Sequence, residues 1–471
     1  MISLRNIYTV ARKEIVSSFR DRIFVTLLFI LCALLITAAF AGFKNYSQIE
    51  KTQLNANAFF RHELEEQQHN PHAAAHFGTY LFKPFSLLVL YDPGLVAFTG
   101  NTYQVEAHKQ HEINYAAIQD RDASMRFGQL SIALILQLFF PLLIIFIGFS
   151  TITAEREQQT LKLILIQGIN KKELVWGKFS GIYGLVLLAI LPVFVLMLLN
   201  LLIAGGSTNL FSRLLMFMIV YLLYFSVITG IVVCLSAWSG SSKSALLKTL
   251  GIWVLFCVLL PRIGAAVADH AYKLPTRYDF NRSMQRGFSK GINKDGNYIQ
   301  RAENFDQELI KRYHLDSIQQ LNPSKRDGLQ LQYGEDYNLM LFKKYSAPVT
   351  DHINAQQGLQ DMFGILDPVI SIKQLSMSFA GTDFLHHLDF FEQAQQYRNE
   401  FMATLNFKEQ QGKMDPKDFP IFFKKIKKFD YLEPSATWPV KKHLLSLSAL
   451  LFWFLSIILI LNLTAKYLKV S

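Results

Sequence analysis

The stretch FSGIYGLVLLAILPVFVLMLLNLLIAGGSTNLFS, residues Phe179–Ser212, runs for 34 residues without a charge. A bilayer core takes about 20 apolar residues of helix, so this run exceeds one crossing. Gly205-Gly206-Ser207 is the turn where its helix would leave the membrane. Runs this long and uniform do not fit buried strands. Working outward, five more apolar runs appear: Ile23–Phe43, Gly128–Ile152, Leu214–Ser242, Thr249–Pro261 continuing past Arg262 to Ala268, and Leu444–Ala465. The reading is an all-α polytopic membrane protein with six transmembrane helices, at 23–43, 128–152, 179–204, 214–240, 245–268 and 444–465. Composition agrees, since charged residues are only 18% of the chain, against roughly 25% in soluble proteins. Three Cys exclude a disulfide framework. Cys32, Cys234 and Cys257 fall inside apolar runs and read as small buried hydrophobes.

The charge distribution orients these helices. The short flanks 1–22, 153–178, 243–248 and 466–471 together hold 14 basic and 5 acidic residues, +9 of the chain's net +11. By the positive-inside rule they face the cytoplasm, with both termini. The loops 44–127 and 270–443 are then extracytoplasmic. The basic excess is thus a topology signal, and no nucleic-acid-reading motif accompanies it. The first run reads as a retained signal anchor, because it exceeds the usual cleaved h-region.

The 174-residue segment 270–443 is long enough for a domain. It shows helical stripes at Tyr298, Ala302, Phe305, Leu309, Tyr313 and at Phe384, Leu388, Phe391, Ala394, Arg398, Phe401, with a third candidate from Tyr337 to Tyr345. Gly and Pro, among them Gly334 and Pro348, are expected to punctuate these stretches. A mostly helical extracytoplasmic domain follows. The shorter loop is expected to be helical at 48–68 and 102–125, with a turn at Tyr91-Asp92-Pro93-Gly94.

On the cytoplasmic side, Leu4, Ile7, Tyr8, Ala11, Ile15 and Phe19 form a helical stripe with Arg5, Arg12, Lys13 and Arg20 between them. That pattern suits an amphipathic helix lying in contact with membrane lipid. The segment 153–178 begins TAEREQQTLKLILIQG. It gives a short charged helix, an amphipathic one, and then Asn170 as N-cap of the next helix with Glu173 three positions on.

The pattern Glu155-Arg156-Glu157, then Thr160-Leu161, then Lys171-Lys172-Glu173-Leu174 and Gly177-Lys178, resembles the coupling region of ABC-2 type transporter permeases. Ala11-Arg12-Lys13-Glu14 and Phe19-Arg20-Asp21 match the same family. One departure is Gln159, where the family usually has Gly. Leu375–Asp383, His386-His387, Tyr397-Arg398 and Tyr91–Leu95 resemble the bacterial branch with a large extracytoplasmic domain. The resemblance implies a permease subunit of the inner membrane that exports or moves an apolar or amphipathic cargo. Two such permeases, as homo- or heterodimer, would bind separate ABC ATPase subunits. Those subunits, not this chain, would hold ATP and magnesium. Glu155, Arg156, Glu157, Thr160 and Leu161 would meet the ATPase, and Arg12, Glu14 and Arg20 would belong to the interfacial helix. Gly381, Thr382, Asp383, His386 and His387 would be the extracytoplasmic signature. The alternative is mechanotransmission, in which ATP-driven motion is passed to a periplasmic protein without transport.

No catalytic residues are expected. Gly240-Ser241-Ser242-Lys243-Ser244 lacks phosphate-loop spacing. His69, His72 and His76 fall at i, i+3 and i+7, but Pro71 interrupts them and no carboxylate or thiolate accompanies them, so surface histidines without metal are expected. His386 and His387 point in different directions, and Thr382 or Asp383 would cap their helix. Arg262 is read as snorkelling to the outer interface. Pro141 and Pro192 are read as kinks. The spans hold few polar residues, among them Gln129, Gln137, Ser226, Thr229 and Ser236.

Overall fold

The computed structural model describes residues 3–112 and 130–469. Apart from one two-stranded hairpin it is helical. Six helices are long and apolar enough to cross a membrane. With the shorter ones they are α1 Leu4–Arg20, α2 Arg22–Glu65, α3 Pro71–Phe77, α4 Ile132–Glu157, α5 Thr160–Ile166, α6 Lys171–Ile203, α7 Thr208–Trp238 and α8 Ser242–Ala271. After these come α9 Arg277–Lys290, α10 Tyr298–Tyr313, α11 Pro323–Phe363, α12 Pro368–Ala380, α13 Phe384–Gln410 and α14 Leu444–Lys466. The candidate spans are α2, α4, α6, α7, α8 and α14.

α7 is the centre of the bundle. Its Phe217, Tyr221, Tyr224, Phe225 and Val233 are fully buried, against α4, α6, α14 and α12. α2 has 44 residues, about 66 Å at the helical rise. It runs on past a span's length through most of the expected 48–68 helix. Cys32 is exposed on it, whereas Cys234 is buried and Cys257 half-buried. The expectation of three buried thiols therefore fails at Cys32, because α2 presents most of its apolar surface outward.

Proline shapes two spans through the same device. Pro141 follows a π-turn at Ile135–Phe139, and Pro261 follows one at Leu255–Leu259. Proline has no N–H to give the carbonyl four residues back, so the turn before it widens. The carbonyl that Pro141 releases, on Gln137, accepts from the Tyr224 hydroxyl at 3.0 Å. Arg262, beside Pro261, is exposed on α8. Pro192 lies inside α6.

Between α8 and α14, α10 and α13 coincide with the first two stripes. Gly334 and Pro348 do not interrupt as expected: both lie inside the 41-residue α11. Its packing against α8, α9 and α13 outweighs a breaker's local cost. α12 is buried along nearly its whole length. It sits in the same apolar cluster as the spans, so the 270–443 segment reaches into the bundle. The expected helix at 102–125 is corrected where it is described. Thr102–Val105 is a strand, antiparallel to Thr79–Phe82, with β-branched and aromatic residues that suit a half-buried ribbon. Residues 113–125 lie outside the described residues, as does Gln129.

Candidate functional site

At the end of the bundle where both termini meet, α1 lies along α6. The sequence of α6 prepares that contact. Asn170 caps the helix in a capping box with Glu173, as its spacing suggests. The Glu173 carboxylate also accepts from the Ser3 backbone N–H at 2.7 Å and from the Asn6 amide at 2.9 Å. One turn on, Gly177 and Gly181 leave a channel. A Cβ on Gly177 would lie 2.5 Å from Val10 Cβ, and one on Gly181 2.7 Å from Glu14 Cβ. The face of α1 against α6 is therefore Ile7, Val10, Ala11, Glu14 and Ile15, of which Val10 is buried and the others half-buried. Leu4, Tyr8 and Phe19, read from sequence as part of the same stripe, are exposed. So are Arg12 and Arg20.

Lys178 sits where these elements converge, with its side chain 3% exposed. Its Nζ lies 2.6 Å from Glu14 Oε1 and 3.0 Å from Glu155 Oε1. Lys13 reaches the same Glu155 oxygen at 2.6 Å. The Thr160 hydroxyl donates to the other Glu155 oxygen, and Thr151 donates to Glu14 at 2.9 Å. Glu155 is thus a buried anion between two cations, bonding within the chain. Leu161 is buried too.

The next two charges of the motif tie down other elements. Arg156 donates to the Ser239 and Ala237 carbonyls at the end of α7, and to Lys469. Glu157 accepts from the Ser242 backbone N–H at 2.8 Å and its hydroxyl at 2.7 Å, at the start of α8. One short segment therefore bonds to α1, α6, α7, α8 and the C-terminal end. What it exposes is Glu157–Gln159, Lys162, Leu163 and Ile166–Gly168, with Ile166 81% exposed. Gln159 has φ 59°, the left-handed conformation that glycine adopts without a Cβ penalty.

Lys13 and Lys178 are legible in the sequence as basic residues beside apolar runs, but their shared partner is not. Glu14 and Glu155 lie 164 and 23 residues from Lys178.

At the other end of the bundle the signature residues form a second cluster. Asp383, not Thr382, is the N-cap of α13. Its carboxylate meets His386 Nδ1 at 2.5 Å and His443 Nε2 at 2.9 Å. Burial opposes the Asp383 charge, but the two histidines hold it well below the usual carboxylate range. Burial also opposes the charge on His443, yet Asp361 and Asp383 together raise it to about 9. His386 goes the other way: burial lowers it, Asp383 opposes that, and Arg213 adds to it. Arg213 is fully buried. It donates to His386 Nε2 at 3.0 Å, with His386 in the tautomer whose Nδ1–H faces Asp383, and to the Phe379 carbonyl at 3.0 Å. Gly381, at φ 76°, leaves it room, since a Cβ there would stand 2.7 Å from the guanidinium. Burial and Lys83 push His387 down to about 3, so it is neutral.

The two stretches that carry the signature residues also touch. The Leu95 N–H donates to the Thr382 carbonyl at 2.9 Å. Ser376 bridges Asp92 and Tyr221, and Tyr221 accepts from Gln137 at 2.9 Å. A buried polar chain therefore joins α4, α7, α12 and the 91–95 turn.

Residues 8–465 match the model of a family described as ABC-2 family transporter protein. No curated protein matches the chain.

Proposed function

Because the chain belongs to the ABC-2 family of transporter proteins, as a membrane component of an ABC transporter, we propose that a separate ATPase subunit drives it by docking on the exposed 157–167 surface. The observation that carries this is the linkage behind that surface. Glu155, Arg156 and Glu157 bond it to five elements, so a push on α5 moves them together, as a rigid lever does. In this reading Glu155 and Leu161 transmit motion from inside the fold, while Leu163, Ile166 and Lys162 make the contact. In this reading the protein lies in an inner membrane, and the basic excess supports a cytoplasmic position for this end. ATP and magnesium stay on the ATPase, and a second permease completes the complex.

The cargo in this reading is apolar or amphipathic. Mechanotransmission to a periplasmic protein is a second reading, favoured by one observation. Gln137, Ser226, Thr229 and Ser236, all within spans, are buried in the bundle.

Co-purification with the ATPase tests the docking face. Leu163→Asp with Ile166→Asp should abolish ATPase binding. Glu155→Gln should keep binding and lower permease-stimulated hydrolysis. Retained binding by the double aspartate variant would overturn the docking face, and unchanged stimulation in Glu155→Gln would overturn the lever.

A further inference from the structure

Two imidazoles from one helix and a third from a separate segment meet beside the hairpin. α3 begins at Pro71, capped by Asn70, so His69 lies outside it and stacks on Phe77 instead. His72 and His76 are one turn apart on α3, with Nε2 atoms 3.4 Å from each other. The third ring is His108, just beyond the strand Thr102–Val105. Its centroid lies 5.9 Å from that of His72 and 5.2 Å from that of His76. One ring nitrogen from each residue falls within 4.8 Å of the other two. Tetrahedral nitrogen ligands about 2.0–2.1 Å from zinc stand roughly 3.4 Å apart. The His72–His76 pair already has that spacing, and His108 needs a small side-chain movement.

The support behind His108 is built in. It holds φ 61°, a conformation unfavourable for a residue with a Cβ. Glu335 fixes it there, accepting from its backbone N–H at 2.7 Å and lying 3.3 Å from Nδ1. Arg398, fully buried, clamps Glu335 at 2.5 Å. A carboxylate on Nδ1 orients the ring and leaves Nε2 for a metal. His76 and His108 are exposed and His72 is half-buried, so an ion has access. A cavity of about 560 Å³ lined by His72, His108, Tyr298 and Arg301 adjoins them.

We propose that His72, His76 and His108 form a binding site for a divalent transition-metal ion of the zinc class, with a fourth coordination position left for water or a small ligand. Three imidazoles suit zinc, copper or nickel, whereas calcium and magnesium require oxygen. The site is independent of the ATPase docking reading.

The full chain, purified with a tag free of histidine and stripped by chelator, is titrated with Co(II) and then Zn(II), following Co(II) absorption and metal content per chain. One ion per chain should bind wild type with tetrahedral Co(II) bands that Zn(II) abolishes. His76→Ala and His108→Ala should each remove that stoichiometric ion, with an unchanged size-exclusion profile since both side chains are exposed. His69→Ala should bind as wild type, and Glu335→Gln should weaken affinity about 10–100-fold. Substoichiometric binding by wild type, or an equal loss in His69→Ala, would overturn the proposal.

Discussion

Replacing Lys178 by Met keeps the length and apolar stem of the side chain and deletes its charge. Two carboxylates, 13% and 11% exposed, then face each other without the ammonium between them. Glu155 keeps Lys13, but that lysine is 57% exposed, and Glu14 keeps the Thr151 hydroxyl. Removing one partner of a buried ion pair costs about 3–5 kcal/mol. The surviving Lys13 contact argues for the lower end, about 3 kcal/mol, felt where α1 meets α6. Since 1.36 kcal/mol is a factor of ten, opening of α1 should become more frequent by about 150-fold. Hydrogen exchange of the Leu4–Arg20 amides in detergent or nanodiscs reads this directly. Adding Glu14→Gln and Glu155→Gln to Lys178→Met removes the orphaned anions and should restore most of the protection. Unchanged α1 exchange in the single variant, or a triple variant that exchanges as fast as the single, would refute the reasoning.

Three further expectations follow from the geometry. His443 is raised to about 9, so its contribution, about 3 kcal/mol at most, is complete below its ordinary value near 6.5 and lost as pH rises through 9. Asp383 contributes oppositely, losing its share only in strong acid. Thermal melts should therefore fall between pH 6.5 and 9, and His443→Gln should flatten that loss. Gly181→Val should detach α1, because its Cβ would stand 2.9 Å from the Ala11 carbonyl oxygen, a backbone atom that cannot rotate away. Cysteine cross-linking between α1 and α6 checks it. Gln159→Gly should be neutral to stabilising by about 1 kcal/mol in a melt, since relief of left-handed strain is partly offset by added freedom of the unfolded chain. A loss of several degrees would argue against that backbone assignment.

Local signals carried much of this fold. Apolar runs marked six candidate spanning helices, and the Asn170–Glu173 capping box and the stripes of α10 and α13 were readable because each depends on residues three to seven apart. Two features depart from those signals, each for its own reason. Gly334 and Pro348 looked like breaks because their cost is local while the packing that overrides it is not. The hairpin was missed because Thr79–Phe82 and Thr102–Val105 are four residues each, too short for periodicity to show.

The candidate sites divide along the same line. From sequence alone came the motif Glu155-Arg156-Glu157 and the signature around Asp383, because residue types and close spacing record them. Only tertiary structure decided that Glu155 turns inward to Lys178, that Arg213 fills the space beside Gly381, and that His108 rather than His69 joins His72 and His76. Partners such as Arg213 and His386, separated by 173 residues, leave no periodic trace in one chain. Their pairing follows from which helix faces the bundle buries together.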